Sequence, residues 1–332
     1  MTTAAVVAGI GGYVPPSVTT NHDLSARLDT SDEWIRTRTG IRQRHLVGAG
    51  TATIDLAVEA GRGALKSAGE AEVDMVVLAT TTPDRLCPAS APEIASRLGL
   101  GHAAAFDVSA VCTGFVYALA TSAGMIAAGI AQRVLCIGAE AISRLINPDD
   151  RNTAVIFGDG AGAMVLRAGD PDELGALGPF DLGSDGEHGD LISVAAGGSR
   201  QPLAAAHDAE DCYMFMDGRE VYRQAIPRMT ASSKAVLERA GWTAGDVDRF
   251  VGHQANVRIL DAVSERLGIP AGRRVANLDR VGNTAAASIP LALADATADG
   301  TLQPGHRVLL TAFGGGLTWG STVLTWPQLN PA

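Results

Sequence analysis

Residues 105–132 read AFDVSAVCTGFVYALATSAGMIAAGIAQ. From Val108 to Gln132 there are 25 residues without a formal charge. That is longer than the ~20 needed to cross a bilayer. The composition argues against a span. Ser109, Thr113, Thr121 and Ser122 interrupt the run, and alanine and glycine dominate it rather than leucine and isoleucine. It stands alone, between Asp107 and Arg133. A helix that is apolar all round in a soluble protein is buried on every side. The run therefore predicts a central helix over 112–130.

Working outward, the chain echoes itself. ALKSAG ends at Gly69 and leads to Val73-Asp74; VLERAG ends at Gly241 and leads to Val247-Asp248. Asp107 stands five residues before Cys112, and Asp279 stands four before Asn283 in NLDRVGNTAA. Arg133-Val134-Leu135 returns as Arg307-Val308-Leu309, and FGDGAGAMVL from Phe157 returns loosely as FGGGLTWGSTVL from Phe313. The offsets are 172, 172, 174 and 156, about half the chain. Two halves follow, 1–170 and 171–332. Helices are expected at 54–68, 91–98, 112–130, 218–240, 256–267 and 284–298. Strands are expected at 74–80, 133–138, 154–166, 248–252 and 307–312. Alternation of this kind implies mixed sheets covered by helices. Stacking the helices over 112–130 and 284–298, both rich in alanine, between two sheets gives an α/β fold of five layers, α-β-α-β-α. In this reading Asn283 mirrors Cys112.

Composition agrees. Of 332 residues 46% are hydrophobic and 19% charged, which excludes wholesale disorder. Glycine is abundant at 39 and aromatics are scarce at 5%, so backbones rather than rings must pack closely. The net charge of -10 speaks against a nucleic-acid binder. Lys66 and Lys234 are the only lysines, a bias that GC-rich coding explains. Cys87, Cys112, Cys136 and Cys212 make neither a disulfide framework nor a CxxC pair, and the seven histidines lack metal spacing. No metal is expected. The start, MTTAAVVAGIGGYVPP, has no basic leader, so a cytoplasmic protein with reduced thiols is expected. Gly9, Gly11 and Gly12 fail the dinucleotide fingerprint because Val14 takes its last glycine position. Gly158-Gly160-Gly162 and Gly314-Gly315-Gly316 miss it too, and no P-loop lysine exists. These glycines read as tight turns or backbone donors.

Three polar residues stand at strand ends or helix starts, where α/β proteins place their sites. Cys112 opens the first uncharged helix, whose N-terminal dipole favours thiolate. His253 follows the strand ending at Val251, and Asn283 opens the second alanine-rich helix. Cys136, inside a strand, reads as a small buried hydrophobe. The order Cys, His, Asn and the 141-residue Cys-to-His spacing also suit papain-like proteases. The local sequence VCTGF and the 111 residues before Cys112 do not.

The chain resembles the beta-ketoacyl-acyl-carrier-protein synthase III family, the initiating condensing enzymes of the thiolase superfamily. The resemblance rests on TSDEWIRTRTGIRQRH (30–45), AFDVSAVCTGF (105–115), IFGDGAGA (156–163), GHQANVRI (252–259), GNTAAASIP (282–290) and AFGGGLTWGS (312–321). It implies a thiolase-like fold, a homodimer, and no cofactor beyond the coenzyme A thioester substrate. It implies that Cys112 takes the acyl group from an acyl-CoA, with the Cys112 and Gly315 N–H groups holding the oxyanion. Malonyl-acyl-carrier protein then enters. His253 and Asn283 stabilise the enolate left by decarboxylation, and the carbanion attacks acyl-Cys112. Neither residue needs a charge to donate a hydrogen bond.

By the same resemblance Trp34 and Arg151 sandwich the adenine of CoA and Arg38 sits on the phosphate side. Phe157, Phe313 and Met216 line the substrate cavity; for the two phenylalanines plain core is an equal reading. Arg219, Arg223, Arg258 and Arg266 form a candidate dock for an acidic carrier protein, Arg258 foremost. Residues 183–198 read as a mobile loop over the acyl pocket. Cys87 lies where a family loop crosses the dimer interface into the other subunit's pocket. Smaller there than an aromatic, it predicts acyl groups longer than acetyl, short or branched. Two departures stand out: Thr113 in place of the small alanine that commonly follows the nucleophile, and Arg223 in place of a lysine. The expected activity is decarboxylative Claisen condensation that starts fatty-acid or polyketide chains. The alternative is an acyl-CoA-dependent acyltransferase that acylates another nucleophile without condensation.

Overall fold

The computed structural model describes residues 3–69 and 72–330. The first half gives β1 (Ala4–Tyr13), β2 (Val18–Thr20), α1 (Asn21–Ser25), α2 (Asp32–Thr39), β3 (Gln43–His45), α3 (Thr53–Ala68), β4 (Met75–Ala79), α4 (Ala91–Arg97), β5 (Ala104–Val108), α5 (Gly114–Ala127), β6 (Arg133–Glu140) and β7 (Gly160–Gly169). The second gives β8 (Leu177–Ser184), β9 (Ile192–Val194), β10 (Met214–Met216), α6 (Gly218–Ala240), β11 (Arg249–Gly252), α7 (Val257–Leu267), α8 (Leu278–Val281), α9 (Ser288–Ala298), β12 (Arg307–Gly314) and β13 (Thr318–Thr325).

Two mixed sheets carry the fold, ordered β1-β7-β6-β4-β5 and β11-β12-β13-β8. In the first, β4 runs parallel to both β5 and β6. Its sequence MVVLA is buried at every residue, as a parallel strand covered on both faces requires. Helices α3 and α4 cover the outer face of the first sheet, and α6 that of the second, with α7 beside it. Helices α5 and α9 lie between the sheets, touching strands of both. Phe115, Leu119, Ile289 and Leu293 knit this middle layer into one apolar core. The thiolase-like α-β-α-β-α arrangement expected above is the arrangement found.

Small residues make the middle layer possible. A Cβ on Gly138 of β6 would stand 2.5 Å from the Ala286 carbonyl oxygen. One on Gly162 of β7 would stand 2.6 Å from the Leu291 nitrogen. The glycines let strands touch helix backbone directly.

Several expected boundaries shift. The helix expected over 112–130 is a 3-10 turn, Val111–Thr113, followed by α5 from Gly114 to Ala127. It is not buried throughout: Gly124 and Ala127 within α5 are exposed, and so is Ile130 beyond its end. Among the described residues no helix is long and apolar enough to cross a membrane. The helix expected from 284 likewise splits into a 3-10 turn, Ala285–Ala287, and α9. The strand expected over 154–166 starts only at Gly160, because residues 151–156 turn. Residues 183–198 are not a free loop. They form the end of β8, a 3-10 helix over Gly186–Leu191, and β9, which pairs with β10.

The duplication is sharper than the sequence offsets suggested. The turn at Val111 recurs at Ala285, and α5 at Gly114 recurs as α9 at Ser288, both 174 positions on. Val111 and Ala285 are the two non-glycine residues with positive φ among those described, at 47° and 45°. The equivalent of Cys112 is therefore Ala286, and Asn283 does not mirror it. Asn283 lies just before the second turn.

Candidate active site

The two strained turns meet at one narrow cavity of about 40 Å³. Cys112, His253 and Asn283 all line it, with Phe157, Met216 and Phe313 among the apolar walls. The structure thus brings together the three polar residues named from sequence and three of the expected cavity residues. A β-branched residue at positive φ is an outlier, and such strain persists only where surrounding structure enforces it. At Val111 it turns the chain sharply between β5 and α5, placing Cys112 at the cavity.

The thiol is 8% exposed at residue level. Burial pushes its pKa up to about 12, and the Glu140 carboxyl adds to the rise. This corrects the expectation of a thiolate. A helix N-terminus contributes at most about 2 kcal/mol, and here desolvation outweighs it. Near neutrality Cys112 is a thiol.

His253 is fixed from two sides. Its backbone N–H donates to the Thr311 carbonyl at 2.9 Å, and its Nδ1 lies 2.6 Å from Ser288 Oγ. Ser288 Oγ also accepts from the Gln254 N–H at 3.3 Å. The hydroxyl proton of Ser288 is then available to Nδ1, which leaves the ring proton on Nε2. Burial pushes the imidazole pKa down to about 3, so the ring is neutral. Asn283 is held by backbone on both sides: its N–H donates to the Ile156 carbonyl at 2.9 Å, and its carbonyl accepts from Gly158 at 3.0 Å. Its Oδ1 accepts from the Ala285 N–H at 2.9 Å. That bond commits the oxygen and leaves the Nδ2 protons to donate elsewhere. The cavity therefore offers a thiol and two uncharged donors, a set suited to a thioester carbonyl and a developing enolate.

Gly315 follows β12 immediately, one residue past the Gly314–Thr318 pair that closes the β12–β13 ladder. Glu140 was not singled out from the sequence. It is fully buried at the end of β6, and accepts from Thr82 Oγ1 at 2.6 Å and the Thr81 N–H at 3.1 Å. Burial raises its pKa to about 7 despite these bonds. Ser288 was also missed. Its only signal was position, at the head of the alanine-rich helix α9.

Away from the cavity, Arg38 and Arg151 both lie over the Trp34 ring, at 4.6 and 4.8 Å. Arg151 is tethered to Asp29, by its carbonyl at 2.7 Å and its carboxylate at 3.2 Å. Arg258, at the start of α7, donates to the Thr37 carbonyl on α2 at 3.0 Å. Arg219 and Arg223 lie exposed in the first turns of α6, Arg223 paired with Glu220. Arg266 is in the last turn of α7, at the end opposite Arg258. Cys87 is exposed and does not line the Cys112 cavity of its own chain. Its neighbour Leu86, 85% exposed, lines a second cleft that shares Val111, Ile192 and Met214 with the first.

Comparison with known proteins follows the same lines. The family models for the 3-oxoacyl-[acyl-carrier-protein] synthase III and its C-terminal region match residues 106–186 and 237–326. A Streptomyces coelicolor protein named beta-ketoacyl-[acyl-carrier-protein] synthase III 3 is 59% identical, with both chains covered in full. The crystal structure of 3-oxoacyl-(acyl carrier protein) synthase III from Pseudomonas aeruginosa superposes with a TM-score of 0.93 at 51% identity, covering 99% of this chain and 100% of that one. The priming beta-ketosynthase of the R1128 polyketide pathway gives 0.91 at 34% identity, covering 99% and 97%.

Proposed function

The chain belongs to the beta-ketoacyl-acyl-carrier-protein synthase III family of condensing acyltransferases, which start fatty-acid or polyketide chains, and from that premise we propose how its residues divide the reaction. Cys112 gives up its proton and attacks the thioester carbonyl of an acyl-CoA as the thiolate; the C–S bond to CoA breaks, the departing CoA sulfur takes up a proton in its place, and the acyl group stays on the Cys112 sulfur. The N–H groups of Cys112 and Gly315 hold the oxygen that becomes negative in passing. Malonyl-acyl-carrier protein then binds. Nε2–H of His253 and Nδ2–H of Asn283 donate to its thioester carbonyl. The carboxylate leaves as CO₂, its bonding pair becomes the enolate, and the enolate carbon displaces Cys112 sulfur from the acyl group. Decarboxylation supplies the carbanion, so no strong base is needed, and a neutral histidine with an amide is the fitting donor pair. The observation that carries this reading is the convergence of Cys112, His253 and Asn283 on one enclosed cavity.

The partner sites belong to the same proposal. Trp34 with Arg38 and Arg151 receives the CoA adenine and phosphates by stacking and cation–π attraction, Arg151 lifting off the ring to admit the base. Arg219, Arg223, Arg258 and Arg266 dock the acidic carrier protein. A homodimer is inferred through the outer edge of β5, which has one neighbour in its sheet, and through Leu86 and Leu203, both exposed beside the second cleft. In it, Cys87 of each copy reaches toward the other copy's acyl cavity and admits short or branched groups longer than acetyl. No cofactor beyond CoA is called for, and a cytoplasmic setting with reduced thiols suits the free cysteines.

The deciding experiment is intact-mass detection of acyl-Cys112 over a panel of acyl-CoAs, followed by a malonyl-carrier-protein chase. The expected result is an acyl adduct absent in Cys112→Ser, consumed by the chase with release of a β-ketoacyl carrier. An adduct that persists through the chase but passes to another nucleophile would establish the non-condensing reading instead.

A pH profile follows from the two shifted groups. His253, pushed down to about 3, and Cys112, pushed up to about 12, both stay in one protonation state near neutrality. Single-turnover acylation should therefore climb with pH over roughly 6 to 9 with no histidine inflection near the ordinary value of about 6.5; a break near 7 that survives His253→Ala belongs to Glu140, whose charge holds the thiol up. An inflection abolished by His253→Ala would show that the ring titrates in the working enzyme.

A further inference from the structure

Thr113, which departs from the common family alanine, is fully buried and occupies the N-cap position of α5, yet makes no side-chain cap. A threonine at that position ordinarily bonds the free N–H groups of the first turn. Here the hydroxyl turns the other way. It donates to the Thr318 carbonyl at 3.2 Å and lies 3.1 Å from Thr318 Oγ1. Thr318 Oγ1 in turn stands 3.2 Å from the Ala110 carbonyl oxygen and 3.1 Å from that of Gly315. Two threonines thus clasp the turn that carries Cys112 to the loop that carries Gly315. The far side of that loop is pinned separately, because Asp185 and Leu317 exchange both backbone hydrogen bonds at 2.8 and 2.7 Å. The clasp is the side-chain link between the two pieces of backbone that must act together.

We propose that Thr113 is a positioning residue: its hydroxyl, clasped to Thr318, sets the spacing between the Cys112 and Gly315 N–H groups that hold the tetrahedral oxyanion. The proposal rests on the assignment of those two N–H groups made above. Oxyanion donors act through fixed placement, and a displacement near 1 Å costs up to about a hundredfold in rate. The hydroxyl touches neither substrate nor reacting atoms, so its loss should alter the chemical step and leave binding of the acyl-CoA alone.

The test uses the full chain. Thr113→Val keeps the shape and removes the hydroxyl; Thr113→Ser keeps the hydroxyl. Rapid-quench intact mass gives the rate of acyl-Cys112 formation and its dependence on acyl-CoA. An aldehyde analogue of the acyl group, which adds the thiol and carries the tetrahedral oxygen, probes the oxyanion site at equilibrium. Thr113→Val should slow acylation roughly tenfold or more, with half-saturation unchanged within about twofold, and weaken the aldehyde by a similar factor. Thr113→Ser should recover the wild-type rate within about threefold. Acylation by Thr113→Val within twofold of wild type overturns the proposal, and so does a serine variant as slow as the valine one. If Thr113→Val does not fold, Thr113→Ala takes its place under the same thresholds. A wild-type chain that takes no acyl group on Cys112 overturns the parent reading and this proposal together; an acylated wild type matched by the valine variant overturns this proposal alone.

Discussion

An Asn283→Ala variant should still accept an acyl group on Cys112 but lose malonyl decarboxylation by roughly 10²–10³-fold, the usual effect of deleting one donor to a developing negative charge. In the mechanism proposed above the two half-reactions use different donors, which is why they should separate. Acylation relies on backbone N–H groups beside Cys112. Decarboxylation relies on side chains that the structure orients through other contacts: Ser288 on His253, and the Ala285 N–H on Asn283. A side effect of alanine has to be separated out. Removing Oδ1 leaves the buried Ala285 N–H unpaired at a residue with φ of 45°. A lost buried partner costs about 1–3 kcal/mol, so Asn283→Ala should also melt earlier. Asn283→Asp distinguishes the two effects. It keeps the oxygen for Ala285 and removes the Nδ2 donors. Read at a pH where the new carboxyl is ionised, it should match alanine in losing decarboxylation while the Ala285 N–H keeps its acceptor. The measurement is CO₂ release from malonyl-carrier protein beside intact-mass acylation. Decarboxylation within threefold of wild type in both variants would remove Asn283 from the mechanism.

Much of this site is legible in sequence because its residues interrupt patterns. Cys112 stands at the head of a charge-free run, and His253 follows an apolar strand. Trp34 lies among arginines in a chain poor in aromatics. Ser288 and Glu140 interrupt nothing. Ser288 is one small polar residue in an alanine-rich stretch, and Glu140 ends a strand where a surface carboxylate would look the same. Their roles exist only after folding, when α9 meets the loop after β11 and the end of β6 meets Thr80–Thr82. The protonation of Cys112 was misread for a related reason. A helix start is visible in sequence, but the desolvation that outweighs it depends on what packs over the thiol. The placement of Asn283 opposite Cys112 failed by three residues because spacing was matched on aspartates, whereas the true repeat is carried by the positive-φ turns at Val111 and Ala285.

Gly314→Ala should reduce acylation of Cys112 by about tenfold or more, and more than Gly315→Ala. Conformation is no obstacle, since Gly314 ends β12 and is not among the glycines with positive φ. Space is. A Cβ there would stand 2.8 Å from the Cys112 nitrogen and 3.1 Å from both the Cys112 Cβ and the Thr113 nitrogen. These are mainly backbone atoms, so no flexible side chain can yield. Either the end of β12 retreats or the nucleophile turn does. The strand is held by its ladder to β13 and by β11 on its other side. The turn is held by a strained Val111 and the threonine clasp, so the turn is the part that moves. Relieving the contact takes a shift of about half an ångström of the Cys112 N–H. A displacement near 1 Å at a reacting centre costs up to about 10² in rate, so one of half that size should cost about tenfold or more, and overpacking adds about 1–3 kcal/mol of lost stability. At Gly315 the nearest atoms, the Ile192 Cβ and carbonyl oxygen at 3.3 Å and a Val111 methyl at 3.4 Å, stand farther from the new Cβ, so a shift of a few tenths of an ångström in the Ile192 segment relieves the contact. Intact-mass acylation kinetics on the two variants, with melting temperatures to normalise for folding, give the comparison. If Gly314→Ala acylates within threefold of Gly315→Ala, the nucleophile turn is not held where its packing against β12 implies, and the oxyanion geometry does not depend on that contact.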